Sequence, residues 1–206
     1  MNKIALVGYG GHAFVLAEIA VMNEYELIGY FDKGEKKNNP FNLPYLGTEI
    51  EFPFEIANNI YCILCIGDNR IRRKVCETLI HKNVKYPMLQ HPKSAISSLS
   101  TIGEGTVIAA SCAINPFVKI GQHVICNTGC LIDHECVVEN FVHIAPGAVL
   151  AGNVYVGEGA FIGANSVIKE GIRIGQNAVI GAGSVILDDI PDESIVYGNP
   201  GKPKSV

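Results

Sequence analysis

Nowhere does this 206-residue chain approach the roughly 18 consecutive apolar residues of a membrane helix. Its N-terminal apolar run, Ile4 to Val7, is too short for the core of an export signal. No membrane insertion and a cytoplasmic location are therefore expected. Blocks of like charge are missing too: the net charge is −4, and the only basic run, Arg70, Arg72, Arg73 and Lys74, reads as a solvated helix face. That argues against nucleic acid as a partner. Charged residues make up only 17% of the chain and hydrophobic ones 48%, the composition of a protein that folds around a sizeable core. The seven cysteines are an odd number without an export signal, so free thiols are expected rather than disulfides. Cys62 and Cys65 form a CxxC inside the apolar strand YCILCIG, and a strand sends i and i+3 to opposite faces, which disfavours a redox or zinc pair.

What is present is a period of six. From Ile96 to Ile186, sixteen consecutive hexads place a large aliphatic residue or cysteine in one column, with no insertion between them. Four residues after each member stands a small or β-branched one, such as Thr106, Cys112, Val118, Val124, Cys130 or Cys136. A six-residue period suits neither an α-helix nor a simple strand; it marks a coiled parallel β-solenoid of three short strands per coil. Residues 18 apart then stack about 4.8 Å apart, and the segment makes roughly five coils. Cys112, Cys126, Cys130 and Cys136 fall in the inward columns and are expected in the core. The residue after each aliphatic is often Gly or Asn (Gly103, Asn115, Gly121, Asn127), as corners of unusual φ require.

Before the solenoid, the run KIALV ends in Gly8-Tyr9-Gly10-Gly11-His12 and a helical stretch; Leu27 to Phe31 ends at Asp32; Tyr61 to Ile66 ends at Gly67-Asp68 before a second helical stretch. Strands alternating with helices imply a short parallel sheet and a Rossmann-like α/β domain over residues 1–91, followed by the solenoid domain over 92–206. Ligands of such sheets bind beyond the carboxyl ends of the strands, where Tyr9, Gly10, Gly11, His12, Asp32 and Gly67 converge. Glycines at a helix N-terminus admit a phosphate, and an acid at the second strand end suits a ribose or base. About 90 residues make half a dinucleotide fold, so a mononucleotide or nucleotide sugar fits better than NAD.

In the solenoid the chemistry concentrates in CNTGCLIDHECVVENFVHIAPGAVL. His134 takes a corner position with Glu135 beside it, and Gly152, 18 residues on, stands bare beneath it. His143 lies half a coil away. A histidine steadied by a carboxylate is a general base. Zinc is disfavoured, because His134 and His143 are nine residues apart and no third ligand recurs at matching spacing. His81, His91 and His123 lack such company and read as surface residues. Pro146, Ala164 and Ala182 share the hexad position of His134 but sit at a different corner, so one molecule cannot line a single groove with both. Solenoids packed about a threefold axis would set one subunit's His134 corner against its neighbour's other corner, which predicts a homotrimer.

VGYGGH, CIGDNRIRRKV, NTGCLIDHECVVENFVHIAPGAVLAGNV and the terminal VYGNPGKP resemble the left-handed β-helix acyltransferases, and more narrowly the bacterial sugar acetyltransferases of the PglD and NeuD type. The resemblance spans the whole chain and supplies the left hand of the coils. It implies His134 as catalytic base with Glu135 raising its basicity, His143 touching the acetyl group of acetyl-CoA, and Gly152, Ala164 and Ala182 lining the pantetheine channel. It assigns the nucleotide sugar to Tyr9, Gly10, Gly11, Asp32 and Gly67, with His12 nearby. Lys33 departs from members with a second acid there, and Lys202 and Lys204 are placed to meet CoA phosphates. The implied activity is acetyl-CoA-dependent N-acetylation of the 4-amino group of a UDP-linked 4-amino-4,6-dideoxy sugar, without a metal. O-acetylation of a sialic acid, a non-catalytic nucleotide-sugar sensor trimerised by its solenoid, and a γ-carbonic-anhydrase-like zinc hydrase are the competing readings.

Overall fold

The computed structural model describes residues 2–51, 60–82 and 84–203, the side chain of His81 excepted. Lys204 and the His81 side chain therefore lie outside the described residues. The chain divides into two compact units, Met1–Leu89 and Gln90–Val206.

In the first unit β1 (Asn2–Val7), α1 (Gly11–Met22), β2 (Tyr25–Phe31), β3 (Tyr61–Leu64) and α2 (Asn69–Leu79) follow one another. The three strands form a parallel sheet in the order β2-β1-β3. Central β1 is an unbroken apolar run because both of its faces are covered: Ile4, Ala5, Leu6 and Val7 are all buried. Helix α1 turns Ala13, Leu16, Ala17, Ile19 and Ala20 inward, and α2 packs Val75 and Leu79 with Val7, Phe31 and Leu64. Asp68 caps α2 by accepting the Ile71 N–H at 2.8 Å. One expectation fails here. Arg72 is not on a solvated face but 1% exposed, its guanidinium donating to the Ile66 carbonyl at 2.9 Å and to Asn69 Oδ1 at 2.8 Å. Burial draws its pKa down to about 9, so it stays cationic at neutrality and ties down the loop after β3.

The second unit is the β-solenoid. Two-residue strands stack into three parallel sheets, paired in steps of 18: His143 lies between Ile125 and Phe161 in the first sheet, Val149 between Leu131 and Val167 in the second, and Tyr155 between Val137 and Arg173 in the third. The second sheet has six strands, so there are six coils rather than five; pairing continues past both ends of the aliphatic column. Ile108, Cys126, Ile144, Ile162 and Ile180 are wholly buried, each isoleucine contributing about 1.5–3 kcal/mol relative to exposure. Cys112, Cys130 and Cys136 fill the small inward column, and all seven cysteines are free.

The corners differ from expectation in one respect. Left-handed φ occurs at every sixth residue from Gly105 to Gly183, three after the aliphatic and not one after it. Nine of these fourteen slots hold Gly or Asn; the exceptions are Ser111, Phe117, His123, Glu135 and Phe141. The glycines one after the aliphatic are small for another reason: a Cβ on Gly103 would stand 2.6 Å from the Gly121 backbone of the next coil.

Candidate active site

The corner joining the second sheet to the third carries Asp133-His134-Glu135-Cys136. Its backbone is held from both sides, with the Glu135 N–H donating to the Pro116 carbonyl at 3.2 Å and the Asn153 N–H to the His134 carbonyl at 2.8 Å. His134 Nδ1 is 3.2 Å from Glu135 Oε2, and both side chains are solvent-accessible, 50% and 63% exposed. A carboxylate can only accept there, so the proton resides on Nδ1 and Nε2 keeps its lone pair. Glu135 takes a left-handed slot at φ +61°, which costs a non-glycine residue about 1–2 kcal/mol. Gly152 lies directly against the ring: a Cβ there would come within 2.5 Å of His134 Cε1 and 2.7 Å of Nε2.

Asp133 and Asn115 were not foreseen. Asp133 Oδ1 accepts from Asn115 Nδ2 at 2.6 Å and from the His134 N–H at 2.7 Å. The Asn115 amide foremost, then the His134 N–H, hold the Asp133 pKa below the ordinary carboxylate value. The signal was available, since 115 and 133 are one coil apart at the same corner position. Beside them the second sheet is hollowed by about 250 Å³ between Ala113, Leu131, Val149, Asn115, Asp133 and Ala151. Another hollow, of about 450 Å³, lies on the third sheet around Tyr155, Arg173 and Asp189 and holds none of the candidate residues.

His143 stands elsewhere. It is on the first sheet, 8% exposed, edge-on to Phe161 at 5.1 Å, with Nε2 at 3.2 Å from Asn127 Nδ2. Asn127 Oδ1 accepts the Thr128 N–H at 2.8 Å, which leaves its Nδ2 as the donor and makes His143 Nε2 the acceptor. Asn127, Pro146, Ala164 and Ala182 belong to the corner between the first and second sheets. Within one chain, therefore, His134, Glu135 and Gly152 are brought together, while His143, Ala164 and Ala182 lie across the second sheet from them.

In the first unit the carboxyl ends of the three strands surround a cavity of about 280 Å³ lined by Val7, Gly8, Asp32, Lys33, Ile66 and Ile71, among others. Gly8, at φ +88°, is required, because a Cβ would meet Ile66 at 2.9 Å. A Cβ on Gly10, Gly11 or Gly67 would meet nothing within 4 Å, so these three leave open backbone around the α1 N-terminus and the β3 loop. The N-cap of α1 is Gly10, which makes no side-chain cap, and His12 sits half-buried in its first turn. The Tyr9 side chain is committed inward: its ring stacks on Tyr30 at 4.1 Å, and its hydroxyl donates to Asn39 Oδ1 at 2.8 Å. Asp32 accepts the Tyr9 N–H at 2.8 Å and pairs with Lys36 Nζ at 2.8 Å. Burial raises its pKa, but Lys36 and the Tyr9 and Lys33 N–H groups together hold it below the ordinary value.

His123 corrects an expectation. It is 4% exposed, not a surface residue, and its ring stacks on Phe141 at 5.1 Å. It fills the space above a bare Gly105, where a Cβ would collide with the His123 ring. Lys202 is exposed on a terminal strand that pairs antiparallel with Ile195–Tyr197. Among the described residues no three His, Cys, Asp or Glu side chains gather as metal ligands, and no helix is long and apolar enough to cross a membrane. Burial pushes the Cys62 thiol up to about 12 and raises that of Cys65 as well, so neither is a ready thiolate.

Comparison with known proteins follows the same division. The family described as PglD N-terminal domain matches residues 3–79, and the bacterial transferase hexapeptide family (six repeats) matches residues 135–170 and 153–188. The solved acetyltransferase domain of PglB from Neisseria gonorrhoeae FA1090, in complex with acetyl coenzyme A, is 34% identical, with a TM-score of 0.91 over 99% of this chain and 100% of that one. A GDP-perosamine N-acetyltransferase of Escherichia coli O157:H7 is 31% identical over 45% of this chain and 42% of its own length. A UDP-N-acetylbacillosamine N-acetyltransferase of Bacillus subtilis strain 168 is 32% identical over 53% and 52% respectively. The chain spans about half the length of these curated relatives.

Proposed function

The chain belongs to the left-handed β-helix sugar N-acetyltransferases of the PglD type, and from that premise we propose that it moves an acetyl group from acetyl-CoA to the 4-amino group of a nucleotide-linked amino sugar. The observation that carries this reading is the His134–Glu135 pair over bare Gly152. Its Nε2 lone pair takes the proton of the attacking amine while Glu135 stabilises the imidazolium. The amine nitrogen bonds to the thioester carbonyl carbon, and backbone N–H groups steady the tetrahedral oxyanion. Its collapse breaks the carbon–sulfur bond; the departing CoA thiolate takes the proton back from His134 Nε2.

Gly152 is the open wall for the thioester. His143, Ala164 and Ala182 serve the same groove only from a neighbouring subunit, so the working form is a homotrimer. The outward apolar columns support this: Leu131 and Val167 on the second sheet and Val179 on the first are 36–44% exposed, whereas the third sheet shows Thr101, Lys119 and Arg173 outward. The nucleotide occupies the first unit, its diphosphate over Gly10 and Gly11 at the uncapped α1 N-terminus and its nucleoside toward Asp32 and Gly67. Tyr9 acts there through its backbone. CIGDNRIRRKV favours an amino sugar over a sialic acid, and our choice of UDP for a 4-amino-4,6-dideoxy sugar follows the UDP-named relative rather than the GDP-named one. Seven free thiols support a reducing, cytoplasmic setting.

The test is kinetic. His134→Ala is expected to stay trimeric by light scattering and to lose about 10²- to 10⁴-fold in acetyl transfer to UDP-4-amino sugars. A trimeric variant with full activity overturns the assignment, and wild-type preference for sialic acids over amino sugars would replace N- by O-acetylation.

A further inference from the structure

Five residues fill left-handed corner slots that the rest of the solenoid gives to Gly or Asn. Three have an evident occupation: His123 and Phe141 stack on each other, and Glu135 holds His134. Ser111 is small. Phe117 is different. It stands at φ +65°, which disfavours a bulky side chain, and the residue is 59% exposed. The chain thus bears strain and an unburied aromatic surface at one position, where an Asn would relieve both.

The position is specific. Phe117 is 18 residues before Glu135, so it occupies the same corner on the adjacent coil, on the opposite side of the pair from Gly152. The Glu135 N–H bonds to the carbonyl of neighbouring Pro116 at 3.2 Å, which fixes the two coils together. The amine must reach His134 Nε2 and the thioester carbonyl together, so acceptor and donor cannot occupy the same side of the base. Given the proposed place of the thioester over bare Gly152, the side left for the acceptor is that of Phe117.

We infer that Phe117 is a specificity-determining residue, the platform for the acceptor hexose, and that its ring reads the apolar C6 methyl of a 6-deoxy amino sugar. This rests on the acetyl-transfer reading above. A pyranose offers a C–H face to an aromatic ring, and a C6 hydroxyl in place of the methyl would have to shed water against that ring without gaining a hydrogen bond. The equivalent slot on the other side of the base holds Asn153, which offers no ring.

Phe117→Asn is the informative variant, because Asn suits the backbone and folding is spared. The measurements are kcat and KM for a UDP-linked 4-amino-4,6-dideoxyhexose and for its 6-hydroxy counterpart, the KM for acetyl-CoA, and the solution mass. Wild type is expected to favour the 6-deoxy sugar about tenfold or more in kcat/KM. In Phe117→Asn that preference falls toward one through a higher sugar KM, with the acetyl-CoA KM and the mass unchanged. An undiminished preference overturns the inference alone. A changed mass, showing that a second copy covers Phe117, or a shifted acetyl-CoA KM, placing the ring on the donor side, does so too. Wild type inactive on both sugars overturns the acetyl-transfer reading and this inference with it.

Discussion

Gly152→Ala separates chemistry from folding more cleanly than any change to His134 itself. The φ of Gly152 is not left-handed, so alanine suits the backbone. What the methyl meets is the His134 ring, 2.5 Å away at Cε1, where ordinary contact begins near 3.4 Å. The imidazole must retreat by about 0.9 Å, and being half exposed it has room to do so. That movement leaves the 3.2 Å contact with Glu135 and fills the space proposed for the thioester. Misplacing a catalytic group by about 1 Å costs roughly 10²-fold in rate, or about 2.7 kcal/mol of transition-state stabilisation. Stability should change by no more than about 0.5 kcal/mol, some 2 °C in Tm. The assay pairs kcat/KM for acetyl transfer with thermal unfolding. Unchanged activity refutes the role of the bare corner, and a Tm fall above about 5 °C shows that Gly152 serves packing instead.

Three further outcomes test the levels beneath this one. Ile144→Ala, at a wholly buried rung, should lose about 2–5 kcal/mol in denaturant unfolding; a loss under 1 would mean that neighbouring coils collapse into the gap. Gly10→Ala should leave Tm within about 2 °C, since its methyl meets no neighbour, yet raise the nucleotide-sugar KM about tenfold by obstructing the diphosphate at α1; an unchanged KM places the diphosphate elsewhere. Asp32 has a pKa below its ordinary value, so its stabilisation is complete above about pH 4 and is lost as pH falls through the lowered value. Asp32→Asn should therefore be less stable than wild type at pH 7 and flatter between pH 4 and 2, followed by tyrosine emission; parallel curves would show that the carboxylate contributes nothing.

The solenoid was legible because its period never slips. Without an insertion, adding 18 is a structural operation, and it correctly put Gly152 against His134 and sent Ala164 and Ala182 to another corner. The same operation would have exposed the error at His123, for 123 − 18 is Gly105 and 123 + 18 is Phe141, a bare position and an aromatic on either side of the ring. The misplaced glycines have a deeper cause. Sequence shows that a corner wants a small residue but not whether φ or the next coil's backbone imposes it, and here the two demands fall two residues apart. In the first unit the signals were weaker. The sequence GYGG marks a strand-to-helix turn, but the inward stacking of Tyr9 depends on Tyr30 and Asn39, which no periodicity links to it. Arg72 is buried because the loop after β3 offers it carbonyl oxygens, and carbonyls leave no trace in side-chain patterns.

The uninterrupted hexads also make the molecule a ruler. Any two residues at one corner are separated along the solenoid by a whole number of strand spacings of about 4.8 Å. Gly152 is one graduation from His134, as Ala182 is from Ala164. Drift among Ile, Val, Leu and Cys in the core leaves these distances untouched; only the gain or loss of a whole coil resets them. A scaffold of this kind can fit a long co-substrate only in increments, so its reach changes by steps and never by degrees.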